Sequence, residues 1–202
     1  MRVLDLGCGQ GCDLGRWRIT ASDEVTGLDI DASRLAVAKV RFPNRTFLQG
    51  VAERLPFENE SFDRVISGVA LPYMDIPEAL SEICRILVPG GMVSLSLHLP
   101  SFTMVELLHH AVPKPIPTLF RLYVLANGIL FHFTGRTVAF PNGRTESFQT
   151  ERGMRAALRR AGFIDSSFVR APGPAGETFT VEARKSKASA DIQHFKEGGE
   201  VL

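Results

Sequence analysis

The sequence predicts an α/β fold, a doubly wound and mainly parallel sheet, on three observations. Short β-branched or Leu-rich runs alternate with helix-period segments over the first hundred residues, Gly and Pro-Gly clusters punctuate them, and Pro172-Gly173-Pro174 joins two β-rich runs near the C-terminus. Strands separated by helices of this length form βαβ units, whose right-handed crossovers cover both faces of one sheet. A Pro-Gly-Pro turn between runs adjacent in sequence adds an antiparallel hairpin at the sheet edge.

Each element follows in order. Val3 to Leu6 is a strand closed by Gly7, Gln10 to Ile19 a short helix, and Val25 to Ile30 a second strand. Asp31 caps a helix through Arg41, with Leu35, Val37, Ala38 and Val40 as its apolar content and Pro43 beyond its end. Thr46 to Leu48 and Phe62 to Ser67 are the third and fourth strands. Asp75 with Glu78 makes a capping box for a helix carrying Leu80, Ile83, Ile86 and Leu87, which Pro89-Gly90-Gly91 stops. Met92 to Leu97 is the fifth strand. After about fifty residues of different character, Thr150 caps a helix from Glu151 to Ala161 ended by Gly162. Phe163 to Arg170 and Glu177 to Ala183 complete a seven-stranded sheet. The domain is expected over residues 1–183, followed by a disordered Lys/Ser/Glu/Gly-rich tail over 184–202.

Composition narrows the partners. With 45% hydrophobic and 22% charged residues the chain reads as an ordinary globular protein, and 23 Lys and Arg against 22 Asp and Glu give no global pull toward nucleic acid. Arg152, Arg155, Arg159 and Arg160 form a basic helix face, read as a solvated face because no aromatic interleaving accompanies it. Cys8, Cys12 and Cys84 are odd in number and lack the spacing of structural zinc, so reduced thiols, no metal site and a cytoplasmic location are expected. The N-terminus turns polar and Gly-rich at once, which predicts no signal peptide, and no apolar run approaches the roughly 20 residues that span a bilayer.

Chemistry concentrates where strands end. Gly7-Cys8-Gly9-Gln10-Gly11 lies between the first strand and the first helix, where glycines admit a ligand close to the backbone and a helix N-terminus offers free N–H groups. Asp29 closes the second strand, in the position where a carboxylate accepts ribose hydroxyl protons in nucleotide-binding βαβ folds. Tyr73 and His98 also follow strands at their carboxyl ends. His109-His110 sits within an apolar stretch and reads as a helix-surface or lid feature.

Val3-Leu4-Asp5-Leu6-Gly7-Cys8-Gly9-Gln10-Gly11, Gly27-Leu28-Asp29-Ile30, Ala52-Glu53-Arg54-Leu55-Pro56-Phe57 with Ser61-Phe62-Asp63, and Leu87-Val88-Pro89-Gly90-Gly91 resemble the ordered motifs of class I S-adenosylmethionine-dependent methyltransferases of the small-molecule type. The resemblance covers residues 1–98 and returns at Leu158 to Phe163. It implies a Rossmann-like fold and S-adenosyl-L-methionine as cofactor. By the same resemblance, Gly7 and Gly9 pass beneath the methionine part, Asp5 helps hold that loop, Asp29 binds the ribose and Ile30 lies against the adenine. Val51 and Ala52 face the adenine edge, and Ser67 lies near the methionine end. Val51 stands where many relatives carry Asp, and Leu71-Pro72-Tyr73-Met74 stands where relatives often show a His. The chain begins directly on its first strand, so its start is either truncated or its pocket more open than usual.

Residues 101–150 hold only six charged residues and form an apolar insertion after the fifth strand. Thr118 to Phe133 is a helix-compatible run suited to cover something greasy, as a lid over the acceptor, as core or dimer packing, or as a peripheral membrane contact. The expected reaction is methyl transfer to an O, N or C nucleophile of a small, largely apolar acceptor, with Tyr73 and His98 as candidate proton acceptors. Two other classes share these features: a non-catalytic cofactor-binding protein, and a nicotinamide-dependent oxidoreductase, whose G-x-G-x-x-G fingerprint is broken here by Cys12.

Overall fold

The computed structural model describes residues 1–11, 17–98, 101, 115–173 and 176–187. Strands β1 (Arg2–Leu6), β2 (Glu24–Asp29), β3 (Thr46–Gln49), β4 (Phe62–Gly68), β5 (Leu87–His98), β6 (Phe163–Gly173) and β7 (Gly176–Lys185) form one sheet in the order β3-β2-β1-β4-β5-β7-β6. The first five strands pair in parallel, and β7 runs antiparallel to both β5 and β6. Strand order reverses between β1 and β4, because the chain leaves β1 toward β2 and β3 before returning to β4. That reversal opens a crevice beyond the carboxyl ends of the strands.

Central position explains the composition of β1. Val3, Leu4 and Leu6 are all buried, as a strand covered on both faces requires. Successive side chains alternate between faces: Leu4 and Leu6 join the main core with Val65, Val93 and Leu95, whereas Val3 joins Trp17, Val25 and Ile66 on the other side.

Helix α1 (Ala32–Arg41) begins where expected. The Asp31 carboxylate accepts the backbone N–H of Ser33 and Arg34 and the Ser33 hydroxyl, and these bonds, the hydroxyl's foremost, hold its pKa below the ordinary carboxylate value. Helix α2 (Ile76–Ile86) differs from the expected capping box in one respect. Asp75 accepts the Glu78 N–H, but its own N–H donates to Glu53 Oε1 at 2.8 Å, so the helix is tied to the loop after β3 instead of to itself. The same helix ends three residues before the predicted Pro89-Gly90-Gly91 stop. Pro89 disfavours helical backbone at Val88, and Leu87 is already extended and paired with Phe62. Register then resumes at Arg64 and Met92, leaving the Pro-Gly-Gly segment as a bulged excursion within β5.

Half of the predicted helix over Gln10 to Ile19, residues 12–16, lies outside the described residues. The hairpin strands are longer than expected, reaching Gly173 and Gly176, so Pro172 belongs to β6. Strand β7 continues two residues beyond Ala183, because Arg184 pairs with both neighbouring strands and Lys185 with Phe163.

The described part of the insertion packs against the domain core. Helix α3 (Pro115–Thr134) packs on α4 (Glu151–Arg160), and Phe131 is fully buried among Met154, Ala157, Leu158 and Phe179. Two glycines permit this closeness: a Cβ on Gly128 would lie 2.3 Å from the Phe148 ring, and one on Gly153 would lie 2.6 Å from the Phe131 carbonyl. No helix among the described residues is long and apolar enough to cross a membrane.

Candidate functional site

The site is assembled at the strand-order reversal by three loops that must approach closely. The first leaves β1 with Gly7 at φ +70°, Gly9 at +53° and Gly11 at +78°, backbone that L side chains rarely adopt. Gly7 and Cys8 both donate to the Leu28 carbonyl, at 2.7 and 3.1 Å, which pins this loop to the end of β2. A Cβ on Gly7 would fall 2.2 Å from the Cβ of Ala70, so the loops after β1 and β4 nearly touch.

Asp29 organises the second loop. Its carboxylate accepts the Gly9 N–H on Oδ2 at 2.7 Å and the Asp31 N–H on Oδ1 at 2.9 Å, and the residue is 6% exposed. Each oxygen keeps an acceptor position for a further donor. The third loop follows β4, where Val69 lies at φ +63°, an uncommon conformation for a β-branched residue, with its N–H tethered to the Ser96 carbonyl at 3.1 Å.

Between these loops lies a cavity of about 710 Å³, within the usual range of small-molecule sites. Gly7, Asp29, Ile30 and Arg34 line one side, Gly50 to Glu53 a second, and Gly68 to Ala70 with Tyr73 and Met74 a third. Gly143, Arg144 and Thr145 of the insertion complete the wall. The Ser147 N–H bonds the Pro72 carbonyl, which fastens that segment beside the short 3-10 turn Leu71–Tyr73. Ile30 and Val51 are 68% and 40% exposed, two apolar side chains turned to the open cavity rather than to the core.

Of the sequence-predicted site residues, Gly7, Asp29, Ile30, Val51, Ala52 and Tyr73 line this one cavity. Asp5, Gly9 and Ser67 do not. Arg34 covers Gly9, for a Cβ there would meet the guanidinium at 2.7 Å. Ser67 is fully buried beneath the loop that follows it, and its Oγ has no hydrogen-bond partner among the described residues. His98 ends β5, and its side chain lies outside the described residues, as do Cys12 and His109-His110. The Cys8 thiol is pushed up to about 12, foremost by burial and further by Asp5 and Asp29, so it stays protonated at neutral pH. No cluster of three or more His, Cys, Asp or Glu side chains suited to a metal occurs among the described residues.

Among the cavity residues that escaped the sequence reading are Arg34, Glu53, Val69 and Arg144. Arg34 looks like an ordinary helix-surface residue, and Glu53 like the first residue of a solvated turn. Val69 becomes notable only through its φ, and Arg144 only through the docking of Ser147 on Pro72. The turn-forming Pro141-Asn142-Gly143 was the one local signal that this part of the insertion bends back.

The cavity residues fit a nucleoside bearing an amino-acid tail. The twin-anchored carboxylate suits a vicinal diol, Ile30 and Val51 suit the faces of a planar base, and the Gly7 approach leaves room for a ligand against the backbone. Comparisons agree. Residues 4–95 match the family described as a methyltransferase domain. The demethylmenaquinone methyltransferase of Chlorobaculum tepidum is 34% identical over 91 residues, 45% of this chain and 38% of that protein. The malonyl-acyl-carrier-protein O-methyltransferase of Pectobacterium atrosepticum is 37% identical over 97 residues, 48% of this chain and 38% of that protein. The chain thus spans less than half the length of these relatives. An S-adenosylmethionine-dependent methyltransferase from Mesorhizobium loti shares the fold with a TM-score of 0.64 at 22% identity, over 91% of this chain and 90% of that one. Residues 4–95 thus match a methyltransferase domain, and the ordered motifs and sheet order make that domain similar to the class I S-adenosylmethionine-dependent methyltransferases.

Proposed function

We propose that the chain transfers the methyl group of S-adenosylmethionine to an O, N or C nucleophile of a small, largely apolar acceptor. The observation that carries this reading is the Asp29 carboxylate, anchored by two backbone N–H groups and facing the cavity at the strand-order reversal. When bound, the cofactor supplies an electrophilic methyl on a sulfonium, so the protein needs no covalent nucleophile of its own.

The chain's residues then have to bind, orient and exclude water. Asp29 holds the ribose hydroxyls through its remaining acceptor positions, Ile30 and Val51 flank the adenine with Ala52 at its edge, and Gly7 gives the tail room against the backbone. Asp5 and Gly9 shape that loop. On the opposite wall Val69, Ala70, Tyr73 and Met74 form a mostly apolar acceptor side, with Arg144 and Thr145 as its polar rim. In-line approach enforced by such walls contributes several kcal/mol through orientation. Tyr73 is 49% exposed and offers its hydroxyl to the acceptor's reacting group, while the position of His98 at the end of β5 makes it the candidate proton acceptor. Quinone and malonyl methyltransferases among the relatives support an acceptor with an acidic O–H or C–H.

The test is transfer of isotope-labelled methyl to a panel containing reduced naphthoquinones, malonyl thioesters and simple phenols. Labelled product from an apolar member, reduced about 10- to 100-fold in kcat by Tyr73→Phe, is expected. Cofactor binding without transfer to any member would support a binding protein instead, and absence of cofactor binding would overturn the reading entirely.

A further inference from the structure

Helix α3 has a second face that is left exposed among the described residues. Leu119, Leu122, Ala126, Ile129, Leu130 and Phe133 are all exposed, with Leu119 at 60%, Ile129 at 53% and Phe133 at 65%. At ~100° per residue these six fall within an arc of about 100°, opposite the buried Val124, Asn127 and Phe131. The stripe runs roughly 21 Å along the helix and contains no charge. Arg121, the helix's one charged residue, is held off the stripe by Glu146 at 2.7 Å.

A row of cations borders it. Arg152, Arg155 and Arg159 recur on one exposed face of α4, and the Arg152 guanidinium lies 5.5 Å from the centre of the Phe133 ring, so the apolar stripe and the basic row are continuous. Glu151, the one acidic residue on α4, is already 3.8 Å from Arg170. We infer that this face is a docking surface for an anionic lipid bilayer, with the α3 stripe seated in the interface and the arginine row on the headgroups.

Only that partner satisfies both halves of the surface. A nucleic acid would meet the arginines and leave six apolar side chains in water. A second copy would bury the stripe, yet the one acid that helices α3 and α4 would bring with it is Glu151, already engaged by Arg170. In-plane helices with an apolar face beside Lys or Arg bind anionic membranes through the sum of both terms. The stripe starts beside Phe120, whose ring lies 4.9 Å from the Arg144 guanidinium on the cavity wall, so the bilayer is held next to the site. As a route for an apolar acceptor this rests on the transfer reading above; as a lipid surface it does not.

Sedimentation of the full chain with phosphatidylglycerol and with phosphatidylcholine vesicles, at low and high salt, tests the inference without requiring turnover. Salt-sensitive binding to phosphatidylglycerol is expected, weakened at least tenfold by Leu122→Asp/Ile129→Asp/Phe133→Asp and about fivefold per side chain by Arg152→Gln/Arg159→Gln. All five positions are exposed, and unchanged thermal midpoints establish that the variants fold. Absence of binding to phosphatidylglycerol, or binding that both variants retain, overturns the inference. A concentration-dependent dimer that the aspartate variant dissociates assigns the stripe to a second copy and overturns it equally.

Discussion

Replacing Gly7 by Ala probes the closest contact in the site. Alanine at φ +70° carries about 1–2 kcal/mol of backbone strain. Its Cβ would also lie 2.2 Å from the Ala70 Cβ, and since both atoms hang directly from backbone, one of the two loops must move, adding about 1–3 kcal/mol. Gly7→Ala should therefore destabilise the fold by roughly 2–5 kcal/mol in urea unfolding and shift the loop that carries Val69 into the cavity. The second substitution Ala70→Gly removes the clashing atom and leaves the strain. The double variant should recover the steric part, a coupling of about 1–3 kcal/mol, and should regain S-adenosylhomocysteine affinity relative to Gly7→Ala alone. Additive effects of the two substitutions, or a Gly7→Ala protein as stable as the parent, would refute the reasoning.

Gly128→Ala separates helix propensity from packing: propensity alone predicts about 1 kcal/mol of stabilisation, but the new Cβ would lie 2.3 Å from the Phe148 ring, so a lower thermal midpoint is expected. Glu82 is held below its ordinary pKa, foremost by the Arg85 guanidinium, which it accepts on both oxygens at 2.7 and 2.8 Å, and then by the Leu55 N–H. A depressed carboxylate contributes stability that is present above its unfolded value of 4.5 and lost as pH falls toward the folded one. Glu82→Gln should thus cost about 1–3 kcal/mol near pH 7 and progressively less as the pH falls below 4.5, a convergence that parallel urea midpoints across pH would contradict. Cys8 has the opposite sign, its raised pKa contributing stability that is full below 9.0 and lost between there and about 12, so Cys8→Ala should flatten the alkaline limb of the stability curve.

The sequence was most readable where one residue type carries one local function. Asp31 and Thr150 cap helices because their side chains meet N–H groups two or three positions on, and the β1 run and the Val65-Ile66 centre of β4 are apolar because central strands are buried on both faces. Pro89-Gly90-Gly91 misled because the same residues that stop a helix also fit a bulge, and pairing of Leu87 with Phe62 decided between the two. Phe131 carries no local sign that it enters the core while Ile129 and Phe133 stay outside, since all three are apolar neighbours on one helix. Within the site, Gly7 and Asp29 were legible from spacing along consecutive strands. Arg34, Val69 and Arg144 were not, because their presence in the cavity depends on a side chain crossing Gly9, a backbone angle and a contact between Ser147 and Pro72, all set by tertiary packing.

The central claim is that Asp29 binds the ribose of the cofactor in this cavity, and calorimetric titration with S-adenosylhomocysteine tests it most directly. The folded parent should bind one equivalent, and Asp29→Ala, checked for native circular dichroism, should lose about 1.5–3 kcal/mol of affinity, roughly 10- to 150-fold, as charge-assisted hydrogen bonds to the diol disappear. A parent that binds no S-adenosylhomocysteine, or a folded Asp29→Ala variant with unchanged affinity, would contradict the account.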